Sequence, residues 1–325
     1  MTNVFGMDFR IEELLSLLAK EIVRLTETAL GEPVTRLTVG WPVRFSEEAV
    51  AEELARTRLR QAWQLATDAE ISFVEEPVAA IQHFAHRAGL GKRAHVLVFD
   101  FGGGTLDVSV SRLEDGRALS LATNGVPIGG DLIDSRLVET RLAPLFGEEA
   151  RYKRTGLPLP RHLFRRLQSW QTLNELNKPE YVELMDRARF ECDQPDKIAR
   201  LETLVKRNYG LAFFQAVERA KVLLSDAAEA EVRLDAPGLD IAQRISRDEF
   251  ESAVSPQVRK AEECALEAVA AAKLAPTDID LVVTTGGSSQ IPAFQKMLRG
   301  AFPKAEFEAS DAFTSVAAGL AVYGS

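Results

Sequence analysis

Residues 96–110 read VLVFDFGGGTLDVSV, with two apolar runs on either side of three glycines. The first run is continuous, which is typical of a strand buried on both faces. The second alternates with polar residues, which is typical of a strand with one solvated face. Consecutive glycines favour a tight turn whose backbone N–H groups point at one spot and can hold an anion. The stretch therefore predicts a strand–turn–strand hairpin with an anion site at the turn.

Two carboxylates, Asp100 and Asp107, flank these glycines. They would repel a bare phosphate, but they fit a site in which Mg²⁺ with its water ligands lies between them and the phosphates. The alternative is an ordinary glycine hairpin with solvated aspartates. Two other phosphate loops are excluded, because the chain has no G-x-x-x-x-G-K-[ST] and Asp107 stands where a Rossmann fingerprint needs its third glycine. The hairpin predicts a metal–nucleotide phosphate site.

The bulk properties limit the class of protein. A chain of 325 residues with 46% hydrophobic residues can bury the core of one or two domains. A net charge of −9 argues against nucleic acid or an anionic membrane as the main partner. Cys192 and Cys264 form no spacing motif, and no apolar run reaches membrane-spanning length. We therefore expect a cytoplasmic protein.

Apolar residues recur at three- and four-residue spacing from Phe9 to Leu30, which predicts an amphipathic helix over 9–30 that lies on a core and ends at Gly31. These residues are Ile11, Leu14, Leu15, Leu18, Ile22 and Leu25. The pattern then predicts a strand over 34–40, a helix over 46–69, a short strand before Pro77 and a helix over 77–86.

The second half of the chain reads as mostly helical over 131–274, with one or two strands near 231–234 and Ile245. Residues 151–166 carry six basic side chains and no acid. Proline and glycine in this basic segment indicate a loop, which leaves a solvated face and a docking site as open interpretations. A strand over 279–285 and a last helix over 312–323 follow.

A second glycine site reads TTGGSSQIP, in which a strand ends at Gly286 and Gly287. Ser288 or Ser289 can cap a following helix, and Pro292 suits its first turn. A helix N-terminus offers unpaired N–H groups to an anion or a ribose. The same strand–glycine–helix turn is also common as a purely structural feature, so both interpretations stay open.

Three further groups of residues have ordinary structural explanations when each is considered alone. Glu76 ends a strand, where an open α/β site would hold a metal-bound water, but it also fits a surface glutamate. Gly129 and Gly130 precede an acid in a glycine turn. A last group lies on one helical face and could be a surface ion pair with a neighbouring hydroxyl; it comprises Glu218, Lys221 and Ser225.

VLVFDFGGGTLDVSV resembles the second phosphate loop of the DnaK-type heat-shock chaperones, within the actin–hexokinase–chaperone ATPase superfamily. Four more segments agree with that family in order: ISFVEEPVAAIQHFA, IGGDLIDSRL, VERAKVLLS and LVVTTGGSSQIPAFQKML. The agreement extends from about Leu37 to Tyr323 and is weaker between Leu145 and Tyr209. The chain is similar to a divergent bacterial branch of chaperone-like proteins.

The resemblance implies an α/β, actin-like ATPase fold with ribonuclease-H-like sheets. Its first lobe is expected to be incomplete, and a helical subdomain is expected within the second lobe. The implied division is a first-lobe remnant over 1–93, a second-lobe core over 94–130 and 275–309, an inserted helical subdomain over 131–274, and a closing helix over 310–325.

The resemblance also implies adenine nucleotide, ATP or ADP, with Mg²⁺ as the ligand. Phosphate contacts then fall on Gly102, Gly103, Gly104, Thr105, Gly129 and Gly130. Nucleoside contacts fall on Glu218, Lys221, Ser225, Gly286, Gly287, Ser288 and Gln290. Asp100 and Asp107 would hold the metal through water, with Glu76 and Asp100 supporting catalysis. Gln290 replaces the family's adenine-stacking arginine, which removes a cation–π contact and predicts weaker binding.

The sequence shows no counterpart of the family's first phosphate loop or of its catalytic lysine. The resemblance therefore implies a truncated start and doubtful hydrolysis, because groups around the γ-phosphate carry that reaction. The first lobe should need a protein partner or self-association to cover its apolar faces. A non-catalytic interaction scaffold is the alternative function. A sugar or glycerol kinase of the same superfamily is disfavoured, because no sugar-pocket motif is present.

Overall fold

The computed structural model describes residues 2–4, 6–43, 45–46, 48–76, 79, 93–114, 117–309 and 315–324. The predicted helix over 77–86 lies outside these residues, apart from Ala79. The strands are β1 Thr2–Val4, β2 Met7–Phe9, β3 Arg36–Trp41, β4 Glu70–Glu75, β5 Ala94–Phe101, β6 Leu106–Glu114, β7 Arg117–Val126, β8 Glu229–Ala236, β9 Leu239–Ser246, β10 Leu281–Thr285 and β11 Glu306–Ala309.

The α-helices are α1 Ile11–Leu30, α2 Ala49–Ala66, α3 Gly130–Leu137, α4 Arg161–Leu167, α5 Trp170–Leu173, α6 Pro179–Glu191, α7 Pro195–Lys206, α8 Gly210–Asp226, α9 Arg247–Ala271, α10 Pro292–Ala301 and α11 Ser315–Gly324. Short 3₁₀ turns span Ala143–Phe146, Asn174–Asn177, Pro276–Asp278 and Gly287–Gln290, and a π turn spans Val138–Leu142. None of the described helices is both long and apolar enough to cross a membrane.

The chain divides into two compact units. The first comprises residues 1–128, 261–289 and 297–325, and the second comprises residues 129–260 and 290–296. The mixed helix and strand content, with a mixed sheet in the first unit, fits the predicted actin-like ATPase fold.

The first unit is built on a five-stranded sheet in the order β11-β10-β5-β6-β7. Strand β5 runs parallel to β10 and antiparallel to β6. The predicted hairpin is confirmed, since Phe101 pairs with Leu106 and the turn occupies 102–105. The predicted solvated face of β6 is wrong: Asp107, Ser109 and Ser111 are buried like the apolar residues between them, because both faces of the sheet are covered.

A smaller parallel sheet in the same unit pairs β3 with β4. Helix α11 packs against β3, and Gly319 on that helix lies where a Cβ would sit 1.7 Å from the carbonyl oxygen of Ala79. A side chain at this position would collide with backbone, so glycine allows the close approach. The predicted closing helix is present over Ser315–Gly324, and its predicted residues 310–314 lie outside the described ones.

Helix α1 ends as predicted at Gly31, which has a left-handed φ of +75°, but it begins at Ile11 because Phe9 belongs to β2. The prediction that its apolar face lies on a core is wrong. The buried residues are Glu12, Ser16, Ala19 and Val23, on the face next to α2, whereas Ile11, Leu18, Ile22 and Leu25 are exposed. Periodicity identifies an apolar face but cannot identify which neighbour covers the helix.

The second unit is mostly helical, as predicted, and contains one hairpin of β8 and β9. Both expected strands are present and alternate buried apolar with exposed residues, as Val232 and Leu234 illustrate. The basic segment is only partly a loop. Residues 151–160 are irregular, but α4 begins at Arg161, because Leu163, Phe164 and Leu167 supply a buried helical face.

Candidate functional site

Both glycine-rich segments meet at one edge of the large sheet. In the parallel pairing of β10 with β5, Thr285 lies beside Asp100. The chain leaves β10 at Gly286 and leaves β5 at Gly102, so the two turns begin next to each other. Loops at the carboxyl ends of parallel strands are where open α/β sheets bind their ligands.

Gly286 makes the tightest contact at this edge. Its φ of +81° is left-handed, and a Cβ there would lie 2.3 Å from the carbonyl oxygen of Phe101 and 3.0 Å from the nitrogen of Gly102. Backbone conformation and backbone contact therefore each select glycine. The second glycine segment is thereby held directly against the end of β5.

The two serines after Gly287 donate hydrogen bonds to backbone carbonyls. The Ser288 hydroxyl donates to the Gly102 carbonyl at 3.1 Å, and the Ser289 hydroxyl donates to the Gly286 carbonyl at 2.7 Å. Pro292 begins α10 as predicted, but the predicted serine cap is wrong, since the 3₁₀ turn 287–290 lies between these serines and the helix. Ser288 thus joins the two turns, Ser289 closes its own turn, and neither serine caps a helix.

The turn of the hairpin is open on its outer side. The Gly102 amide donates to the Thr105 carbonyl at 3.1 Å, which closes the turn. Gly103 and Gly104 are exposed, and a Cβ at either would meet no atom within 4 Å. A ligand can therefore approach the backbone of these glycines, as an anion site requires.

Three acids lie close together at the same edge. Asp100 and Asp107 are buried and directly opposite each other in the β5–β6 ladder, where like charges are unfavourable. Burial, reinforced by the negative charges of Glu76 and Asp107, raises the pKa of Asp100 to about 7. Burial also raises the pKa of Glu76. A cation in this cluster would relieve both the burial and the repulsion.

Asp107 has a partner that the sequence did not indicate. The backbone amide of Val43 donates to Asp107 Oδ1 at 2.6 Å. The Trp41-Pro42 pair signals a break after β3, but nothing in the sequence says that an amide after that break contacts β6. This hydrogen bond ties the small sheet's loop to the acid cluster.

The side chains of these acids suit a magnesium ion that keeps its water ligands. Carboxylates are the hard oxygen ligands that Mg²⁺ prefers, and Mg²⁺ usually keeps several waters. Among the described residues, no group of three His, Cys, Asp or Glu side chains is arranged to hold a metal ion directly. Asp100, Asp107 and Glu76 would instead act through water, as acceptors of hydrogen bonds from waters bound to the ion.

In the second unit, Lys221 forms a nearly buried ion pair with Asp134. Its Nζ lies 2.9 Å from Asp134 Oδ1, donates to Oδ2 at 3.0 Å, and donates to the Gly130 carbonyl at 3.4 Å. Burial raises the pKa of Asp134 to about 6 despite the opposing charge of Lys221. Sequence reasoning missed Asp134, although it lies one helical turn after Gly130 in α3.

The remaining predicted residues of the second unit are placed as follows. Gly129 precedes α3 and Gly130 begins it, and both are buried. Glu218 is exposed on α8, and its negative charge also raises the pKa of Asp134. Ser225 is half-buried, and Gln290 is exposed. The structure therefore gathers Glu218, Lys221 and Asp134 into one charged group.

Comparisons with known proteins identify the family of this chain. A family model described as Hsp70 protein matches residues 1–154 and 197–325. The chaperone protein dnaK of Cyanidioschyzon merolae is 25% identical over 324 residues, covering 97% of this chain and 43% of that protein. The heat shock 70 kDa protein BIP3 of Oryza sativa subsp. japonica is 30% identical over 307 residues, covering 92% and 37%. The chain thus spans less than half the length of either relative.

Proposed function

Since this chain belongs to the Hsp70 family, we propose that it binds an adenine nucleotide together with Mg²⁺ at the edge of the large sheet. One observation carries the proposal: the contact of Gly286 with Phe101 and the Ser288–Gly102 hydrogen bond hold two glycine turns beside buried acids. An exposed glycine backbone next to buried carboxylates suits a phosphate chain that brings its own cation.

Each group has a distinct proposed role. The backbone of Gly102 to Thr105 binds phosphate oxygens, and Asp100, Asp107 and Glu76 orient metal-bound waters. Magnesium, when bound, neutralises charge on the phosphates. The proposed nucleoside contacts are Gly286, Gly287, Ser288 and Gln290 together with Glu218, Lys221 and Ser225, and Gly129 and Gly130 are proposed to contact outer phosphates.

Lys221 can serve both its ion pair and a ligand. An ammonium group has three protons, and the bonds to Asp134 and to the Gly130 carbonyl use two of them. The third is available to a ribose oxygen or to a ring nitrogen of adenine. Asp134 would then fix the position of the ammonium group, which lowers the entropy cost of binding.

Titration calorimetry tests the proposal. ATP and ADP are titrated into the chain with Mg²⁺ and with excess chelator. We expect binding that weakens at least about tenfold without Mg²⁺ or with Asp100→Asn, because the carboxylate no longer accepts from metal-bound water. Asp68→Asn, an exposed acid of the same unit, is the matched control. Absence of heat under all conditions contradicts the proposal.

A non-catalytic scaffold is the second candidate, and Gln290 favours it because it lacks the stacking contact expected of the family. Binding heat that is absent, or unchanged in Asp100→Asn, supports the scaffold. The doubtful hydrolysis expected from the resemblance stays a prediction for this 325-residue chain. Hydrolysis is measured as the release of inorganic phosphate from Mg–ATP under single-turnover conditions. The rate of the Asp100→Asn variant serves as the background.

A further inference from the structure

Helix α1 carries an exposed apolar stripe with the spacing of a coiled coil. We call it the α1 seam, and it consists of Ile11, Leu15, Leu18, Ile22, Leu25 and Ala29. Successive members are four, three, four, three and four residues apart. This alternation keeps apolar side chains in line along one side of a helix and is the signature of a seam that packs against another helix.

The seam is large and open to solvent. Ile11 is 42% exposed, Leu18 66%, Ile22 53% and Leu25 53%. These four side chains alone present about 400 Å² of apolar surface, within the range where patches on monomers mark interaction sites. Leaving them in water disfavours the isolated unit.

Helix α2 does not occupy the seam. It lies beside the neighbouring face of α1, where Ser16, Ala19 and Val23 are buried. The carboxylate of Glu12 is 3.5 Å from Arg10 and 3.9 Å from Arg58 of α2. Helix α1 is therefore held by α2 on one side while its most apolar side stays uncovered.

We propose that the α1 seam packs against the same seam of a second copy of this chain, forming a dimer. A second copy offers a surface of matching length and spacing. With half-buried Leu15 and the stems of flanking residues included, the pair would bury roughly 1,000 Å², which is at the lower limit for a specific interface. The proposal does not rest on nucleotide binding.

The charges bordering the seam suit a copy of itself. Two identical surfaces repel each other when their rims carry one sign of charge. Here the two acids next to the seam are each compensated by arginine: Glu12 lies 3.5 Å from Arg10 and 3.9 Å from Arg58, and Glu21 lies 2.6 Å from Arg24. A membrane-binding helix would instead carry mainly basic residues on its polar side.

Analytical ultracentrifugation across about 1–100 µM tests the dimer. We expect the wild type to dimerise and Leu18→Lys to raise the dimer dissociation constant at least tenfold, because it places a charge in the middle of the seam. Leu30→Lys is the matched control, since Leu30 is 61% exposed on the same helix but lies outside the seam. Circular dichroism establishes that both variants fold.

Disulfide crosslinking gives a second readout, because both native cysteines are buried and do not compete. Leu18→Cys, alone or mixed with Ile22→Cys, should crosslink at several times the yield of Leu30→Cys. A wild-type monomer at 100 µM, equal dissociation constants for Leu18→Lys and Leu30→Lys, or equal crosslinking yields would each overturn the proposal.

Discussion

At the scale of single residues, Gly286 shows how one position sets the geometry of the site. Its positive φ and the 2.3 Å approach that a Cβ would make to the Phe101 carbonyl oxygen are independent demands for glycine. Because that approach is to backbone, no side-chain rotation can relieve it. The relative placement of the two glycine turns therefore depends on this residue.

We predict that Gly286→Ala lowers the free energy of unfolding by roughly 2–4 kcal/mol, from backbone strain plus displacement of Phe101. Chemical denaturation measures the change. Gly287→Ala is the matched control, because its Cβ would meet nothing within 4 Å. Equal effects of the two substitutions would contradict the close-approach argument.

Asp100 is a buried acid with two other acids near it. Its pKa is raised to about 7 by burial and by Glu76 and Asp107, whereas an unfolded chain gives aspartate a pKa of about 4. The folded state therefore binds this proton more tightly than the unfolded state does. The contribution of this protonated carboxyl to the free energy of unfolding is complete below pH 4 and is lost as the pH rises through 7.

We predict that Asp100→Asn removes this pH dependence. With chelator present, the variant should match the wild type near pH 4 and exceed its unfolding free energy by about 2–4 kcal/mol at pH 8, because the neutral amide avoids burying a charge. Urea denaturation at several pH values measures this. Asp68→Asn should keep the wild-type slope, and a wild-type slope in Asp100→Asn would refute the assignment.

At the scale of secondary-structure elements, the Lys221–Asp134 pair joins α8 to α3. Both side chains are close to nine-tenths buried, so solvent screens the pair weakly. Removing one member of a buried pair leaves the other without compensation, which costs far more than breaking an exposed pair. This pair should therefore fix the packing of the two helices.

We predict that Lys221→Met lowers the unfolding free energy by about 1–3 kcal/mol at pH 8 and by less at pH 5, where Asp134 protonates. The double variant with Asp134→Asn should recover part of the loss, as a double-mutant cycle measures. The matched control is Arg233→Met, which breaks an exposed cross-strand pair with Asp240 and should change little. No recovery in the double variant would rule out direct coupling.

Elements also show where sequence patterns stop being informative. The end of α1 at its glycine stop follows from local rules, but its buried face is the one carrying Glu12 and Ser16. Local periodicity measures the composition of a helix surface, whereas burial depends on where α2 packs. The polar face of β6 is buried for the same reason.

At the scale of the whole molecule, ligand binding should act as a stabiliser. A ligand that binds only the folded chain adds about 2.7 kcal/mol of stability at one hundred times its dissociation constant. We predict that saturating Mg–ADP raises the melting temperature by about 2–6 °C and that ADP with chelator does not. Differential scanning calorimetry measures the shift, and Asp100→Asn should lose it. An equal shift with chelator would argue against the metal-dependent site.

Family and fold class were predictable because five motifs occur in the right order, and a family model covers most of the chain. The residue roles at the site, the cytoplasmic location and the partners of the chain stay predictions. The Asp134 partner of Lys221 and the Val43 amide were not predictable, because each contact joins segments far apart in sequence.

The amino-acid sequence by itself determined the hairpin at 102–105, the strands β3 to β6 and β10, and the demand for glycine and acid at the strand ends, since these follow from local propensity and spacing; strands β1, β2, β7 and β11 were not predicted. Only the tertiary structure decided that Gly286 presses on Phe101, that Asp100 and Asp107 are buried against each other, and that the apolar side of α1 faces solvent. Those outcomes depend on packing between distant segments, and a pattern along the chain does not contain that information.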